Sequence, residues 1–263
     1  MAIARSLWTF RGFVRASVSR ELHLRYAGSV LGALWQVASP LAMILIYTLI
    51  FSELMRTRLP GVDDRYAYAI FVCCGLLAWG MFSEILTRSQ MMFIDNGNLL
   101  KKANFPRSCV PAIVVASALT NFTVVYAVFV ALLAVSGHWP GWTILALPVP
   151  VLILAVLGLA VGVFLGIVHV FFRDVGQALA IVLQVWFWLT PIVYPPSVLP
   201  ASYQRWIALN PVTPIAKALQ AIFVHRAWPE WQTLVYPALL AATLMLLSIA
   251  AFRRQSPWIV DEL

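Results

Sequence analysis

Residues 149–172 read Val149-Pro-Val-Leu-Ile-Leu-Ala-Val-Leu-Gly-Leu-Ala-Val-Gly-Val-Phe-Leu-Gly-Ile-Val-His-Val-Phe-Phe172. None of these side chains is an Asp, Glu, Lys or Arg. A spanning helix needs about 20 apolar residues to cross a hydrocarbon core roughly 30 Å thick, and this run exceeds that. Gly158, Gly162 and Gly166 recur at four-residue spacing. That spacing puts three missing side chains on one helix face, where a neighbouring backbone can come close. It suits packing within one chain or between two copies, and packing within the chain is the favoured expectation.

The charge-free run extends outward over residues 108–172, long enough for two spans. Their turn is written at Ser136-Gly-His-Trp-Pro-Gly-Trp142, where Gly and Pro punctuate and two tryptophans suit a membrane interface. The whole chain agrees: 263 residues, 62% hydrophobic, 11% charged, with a mean hydropathy of +0.88. A soluble domain of this size cannot hide so much apolar surface. The expected fold is an all-α polytopic membrane protein, one transmembrane domain over 1–263, with six transmembrane helices at about 29–52, 66–84, 108–135, 143–171, 175–194 and 231–252. Residues 1–25 carry Arg5, Arg11, Arg15, Arg20 and Arg25 among Leu, Trp, Phe and Val, the pattern of an interfacial amphipathic helix rather than of a cleavable signal. Residues 195–230 alternate apolar pieces with prolines and read as re-entrant or interfacial helices, allowed at depth only where protein or water surrounds them.

Six spans place both termini on one side. With the termini inside, 12 of the 18 Lys and Arg residues fall in cytoplasmic segments, so both ends are expected in the cytoplasm. The same count makes residues 84–107 cytoplasmic. The net charge of +8 then reflects this bias, and no basic module points to nucleic acid. No internal repeat is visible.

Several chemistries are excluded. There is no G-x-x-x-x-G-K-[ST], so no phosphate cradle for ATP, and no G-x-S-x-G, H-E-x-x-H or C-x-x-C. His23, His138, His169 and His225 are isolated in sequence, and no metal site or catalytic residue is expected. Cys73, Cys74 and Cys109 read as small buried hydrophobes. Glu53 and Glu84 are expected at span ends, leaving no acidic residue near the centre of a span, which argues against ion-coupled transport. An energy source outside the chain follows.

Four places resemble the membrane-spanning subunit of bacterial type-2 ABC exporters for cell-surface polysaccharides, the group that handles O-antigen, capsule and teichoic acid. They are Arg25-Tyr-Ala-Gly-Ser-Val-Leu-Gly-Ala-Leu-Trp35 running to Pro40-Leu41, Asn98-Leu-Leu-Lys-Lys-Ala-Asn-Phe-Pro-Arg107 with Pro111, Phe172-Arg-Asp-Val175, and Pro191-Ile-Val-Tyr194 followed by Leu209-Asn-Pro-Val-Thr-Pro214. Their order covers nearly the whole chain, and the O-antigen members are the nearer match.

The resemblance implies a homodimer in the bacterial inner membrane with two copies of a separate ATP-binding subunit. That subunit would hold the ATP and Mg, so this chain needs no cofactor and is not itself an enzyme. The substrate would be a lipid-linked glycan moved from cytoplasm to periplasm. The coupling element would be Asn98, Leu99, Leu100, Lys101, Lys102, Phe105, Pro106 and Arg107. Its own chemistry agrees: Asn98 can cap a short helix over 99–104, and Pro106 ends it. Leu99, Leu100 and Phe105 then form an apolar plug with a basic rim. Trp35, Trp79, Phe82, Trp186, Trp188 and Tyr194 are candidates for an aromatic sugar path, with belt or lipid-facing positions as the alternative. Arg20 and Arg25 are candidates for meeting a lipid diphosphate at the entrance. Lys217 and Arg226 are candidates at the exit, or snorkel to lipid phosphates. Rival readings are an exporter of the same fold for a small lipophilic or drug-like substrate, and a membrane enzyme acting on polyprenyl-linked sugars. For the enzyme, only Asp63-Asp64 resembles a catalytic pair.

Overall fold

The computed structural model describes residues 8–25, 32–54, 59–97 and 109–262, and every regular element among them is helical. Helix α1 spans Arg11–Arg25. A 3₁₀ turn at Gly32–Leu34 leads into α2, Trp35–Thr48, which runs on as a π-helical turn over Leu49–Leu54. Then follow α3 at Ala67–Asp95, α4 at Cys109–Val135, α5 at Pro148–Phe171 and α6 at Val175–Trp188. Two short helices, α7 at Ala201–Leu209 and α8 at Val212–Phe223, precede α9 at Trp231–Glu262. Among the described residues, the stretches long and apolar enough to cross a membrane are Trp35–Glu53, Ala67–Asp95, Cys109–Val135, Gly141–Phe171 and Trp231–Arg254.

Helices α3 and α5 form the centre. Of the most apolar stretch of each, 67% and 61% of residues are buried, against 11% for the stretch containing α2 and 22% for that containing α9. The glycine stripe makes this possible, and it is used within the chain. A Cβ on Gly158 would sit 3.2 Å from the Phe82 ring, one on Gly162 would sit 2.5 Å from Ser89 Cβ, and one on Gly166 would sit 2.8 Å from the Ser89 carbonyl. The two backbones are therefore closer than any side chain on that face allows. Helix α9 packs on the flank of α5, where Ser248 donates to the Ala160 carbonyl at 2.7 Å. Helix α4 lies against α3, and Tyr126 donates to the Cys74 carbonyl at 2.7 Å.

The turn between α4 and α5 is closed as its composition dictates. His138 N–H reaches the Leu133 carbonyl at 2.8 Å and Gly137 N–H the Ala134 carbonyl at 3.3 Å, with Gly137 at φ +78°. This is a Schellman end, and only glycine takes that φ without strain. Pro148 then opens α5, where its missing N–H costs nothing.

Three expected spans differ in extent; the last, expected over 231–252, lies in a helix that continues to Glu262. The second does not stop at residue 84. Helix α3 carries on to Asp95, 29 residues and about 43 Å long, so it takes in the first half of the segment expected as coupling region. Its added turns carry Glu84 and Arg88, which pair with each other and with neighbours instead of breaking the helix. The fifth, expected over 175–194, is a helix of 14 residues, about 21 Å long and shorter than the hydrocarbon core. Pro191, Pro195 and Pro196 stop it, since each lacks an N–H and pushes the residue before it out of helical geometry. The proline-broken stretch forms short helices rather than one long one. Helix α8 is buried along most of its length against α3, α5 and α9.

Candidate functional site

The aromatic candidates converge on one wall. Trp79 and Phe82 on α3 face Trp186 and Phe187 on α6. Ring centroids are 6.2 Å apart for Trp79–Trp186, 5.7 Å for Trp79–Phe187 and 5.2 Å for Phe82–Trp186. These contacts are edge-on, the arrangement that the ring quadrupoles favour. Trp188 extends the set through Phe187 at 5.4 Å and is 58% exposed. Phe82 is wholly buried, so it offers no surface to a ligand and serves to prop the two indoles. Trp35 is half exposed in the first turn of α2 and makes no ring contact with this set among the described residues. Tyr194 lies beyond the end of α6 and donates its hydroxyl to the Trp188 carbonyl at 2.6 Å.

The fold holds this wall through Asn210, which lies in the Leu209–Pro214 motif. Asn210 Oδ1 accepts from Trp186 Nε1 at 2.9 Å and from the Val212 N–H at 3.0 Å. Its Nδ2 donates to Thr190 Oγ1 at 2.8 Å and to the Leu189 carbonyl at 3.3 Å. One amide thus ties the end of α6 to the start of α8. Gln220, buried on α8, adds a bond to the Pro191 carbonyl at 3.0 Å. The signal was present in Asn210-Pro211 ahead of a helix, an Asx-turn arrangement in which the side chain satisfies an amide at the helix start. Asn210→Leu keeps the volume and removes four bonds. It is expected to cost about 2 kcal/mol and lower the thermal midpoint of the purified protein, while Thr190→Ala, which leaves the Trp186 anchor, costs less.

A second polar constellation joins three helices. Arg88 on α3 donates to Glu21 of α1 at 2.5 Å and lies 3.5 Å from Glu84, one turn back on its own helix. Asn121 on α4 donates to Glu84 at 3.1 Å. These charged side chains retain 19–33% exposure. Glu84 therefore sits well inside a 29-residue helix rather than at its end. Partners on other helices make this tolerable, since an ionisable group at such a position persists when it is paired. The network docks α1, and with it Arg20, which is exposed, onto the bundle. Arg25 is the last residue of α1.

Of the exit candidates, Lys217 is the exposed position in an otherwise buried or half-buried α8, and Arg226 is exposed in the turn after it at φ +49°. Asn98, Leu99, Leu100, Lys101, Lys102, Phe105, Pro106 and Arg107 lie outside the described residues. Their anchors are described: α3 ends at Asp95, Asn96 donates from its side chain to the Met92 carbonyl at 2.9 Å, and α4 restarts at Cys109. Asp64 of the Asp63-Asp64 pair lies 3.1 Å from His138 and also accepts from the Tyr66 N–H at 2.9 Å. It pins the loop before α3 to the turn before α5.

Comparison with known proteins bears on this arrangement. Residues 13–224 match the ABC-2 type transporter family. The chain is 34% identical over 251 residues to the O-antigen export system permease protein RfbA of Myxococcus xanthus, covering 95% of this chain and 94% of that one. It is 29% identical over 208 residues to the protein of the same name from Klebsiella pneumoniae, 79% of this chain and 78% of the other. It is 24% identical over 244 residues to the polysialic acid transport protein KpsM of Escherichia coli, 91% and 92% of the two. With helices that fit a membrane, and a family match over most of its length, the chain belongs to the ABC-2 type transporter family of membrane proteins.

Proposed function

We propose that this chain is the membrane-spanning subunit of an ATP-driven exporter that carries a lipid-linked polysaccharide, O-antigen foremost, from the cytoplasm to the periplasm across a bacterial inner membrane. The near full-length similarity to the Myxococcus xanthus permease carries this reading. The aromatic wall on α3 and α6 supports it. Indole faces accept pyranose C–H groups without fixed hydrogen bonds, which suits a polymer that must slide. The outward faces of α2 and α6, with Leu45, Ile46, Ile181 and Val185 more than half exposed, suit closure of that path by a second copy of the chain. ATP and Mg belong to a separate subunit, in two copies. Asn98 to Arg107 receives that subunit's movement, with Leu99, Leu100 and Phe105 as the plug. Both termini are cytoplasmic, Arg20 and Arg25 meet the lipid diphosphate, and Lys217 and Arg226 face the exit.

The test is transport in inverted vesicles containing this chain and its ATP-binding subunit. ATP-dependent protection of radiolabelled lipid-linked glycan from an added glycosidase is expected. Lys101→Glu combined with Phe105→Ala should abolish that protection and co-purification of the ATP-binding subunit while the chain still inserts. ATP-driven uptake of a small lipophilic dye without any glycan protection would replace this reading with the small-substrate one.

A further inference from the structure

Helices α4, α5 and α9 enclose an open groove of about 500 Å³. Its walls include Ala112, Val115 and Leu119 of α4, Val163 of α5, and Met245 and Ile249 of α9. The hydroxyl that lines it, Ser248 Oγ, is already donated to the Ala160 carbonyl. Its charged lining residue is Arg253, at the end where α9 stops being apolar. We propose that this groove holds one acyl chain of an anionic membrane phospholipid, with its phosphate on Arg253.

Depth and charge narrow the occupant. Along α4 the lining runs from Pro111 to Leu119 and along α9 from Met245 to Arg253, about 12 Å in each case. That is most of one leaflet's share of a hydrocarbon core roughly 30 Å thick. An apolar lining of that depth fits one leaflet's hydrocarbon chain. Among the described residues the lining along this length is apolar apart from Ser248, whose hydroxyl is already donated to Ala160, so what lies there is apolar. At the mouth a guanidinium stands where the helix leaves the hydrocarbon region. That fork matches phosphate oxygens, and the surrounding headgroup layer supplies them. The groove shares no lining residue with the aromatic wall of the proposed glycan path, so it stands or falls independently of the transported substrate.

The test uses the full chain in nanodiscs carrying trace phosphatidylglycerol with a photoactivatable diazirine in the acyl chain. Cross-links are expected to concentrate in the peptides covering residues 111–119 and 245–253. Ala116→Trp, which fills the groove, should reduce that labelling about tenfold. Arg253→Gln should lower the preference for phosphatidylglycerol over neutral diacylglycerol about tenfold, the scale of one lost charge-assisted hydrogen bond, and Arg253→Lys should restore part of it. If Ala116→Trp does not fold, the map on the unaltered chain and the Arg253 arm decide. Labelling spread evenly over the outer faces of α2 and α9 overturns the proposal. Equal labelling by neutral diacylglycerol in the unaltered chain removes the phosphate from it.

Discussion

Replacing Gly162 by valine is expected to remove the folded protein from detergent extracts. Even the first added carbon would lie 2.5 Å from Ser89 Cβ and 2.8 Å from the Leu86 carbonyl oxygen. Contacts that short require a shift of the α3 backbone itself, which cannot rotate away as a long side chain would. The cost is at least about 3 kcal/mol, the upper range for overpacking a close-packed interior. Because α3 and α5 form the most buried part of the bundle, the damage spreads to everything packed on them. Gly80 on the same α3 is the control. Nothing lies within 4 Å of a Cβ placed there, so Gly80→Ala should be neutral or raise stability by up to about 1 kcal/mol through helix propensity. Size-exclusion profiles and thermal midpoints of the two variants make the comparison. A well-folded Gly162→Val protein would refute the α3–α5 contact.

Arg88→Gln carries the second large effect. It leaves the Glu21 carboxylate without the guanidinium that ties α1 to α3. Removing one partner of a buried pair costs roughly 3–5 kcal/mol. Residual exposure of these side chains lowers that to about 3 kcal/mol here. Adding Glu21→Gln should return at least half of the loss, because it removes the carboxylate left without its cation. A double-mutant cycle between the two positions measures this, and a coupling under about 0.5 kcal/mol would mean that the contact does not hold α1 in place. Limited proteolysis gives a separate readout. Cleavage within residues 8–25 should speed up in Arg88→Gln and slow again in the double variant.

Much of this was legible from residue type alone. The long charge-free runs identify spans because a helix in lipid satisfies its own backbone and leaves only side-chain polarity to be read. The proline-broken stretch after α6 was legible for a related reason, since proline acts on its own backbone and on the residue before it. The glycine stripe of α5 was legible as a close-contact face. Of the six aromatic candidates, five meet or adjoin one another, Tyr194 through its bond to the Trp188 carbonyl. Their type did not separate Phe82, which is buried, from Trp188, which is open. Phe187 was passed over beside both. The role of Asn210 as the tie of the wall was not legible because three of its four bonds run to residues 20 to 24 positions away.

The ends of helices were less legible where charges interrupt them. A charge read in isolation ends a span, and so residue 84 was taken as the boundary. Glu84 and Arg88 continue α3 because Glu21 lies 67 positions from Arg88 and Asn121 lies 37 from Glu84, both brought alongside by the fold. Composition and the order of its interruptions determined by themselves that this chain crosses a membrane as helices and where it turns. Each of those follows from how a residue meets lipid, water or its own backbone. Only the tertiary structure decided that the glycine stripe faces α3, that Asn210 holds the aromatic wall, and that α3 carries its charges in pairs. Those depend on which groups distant in sequence become neighbours, and no local property of a residue records its partner.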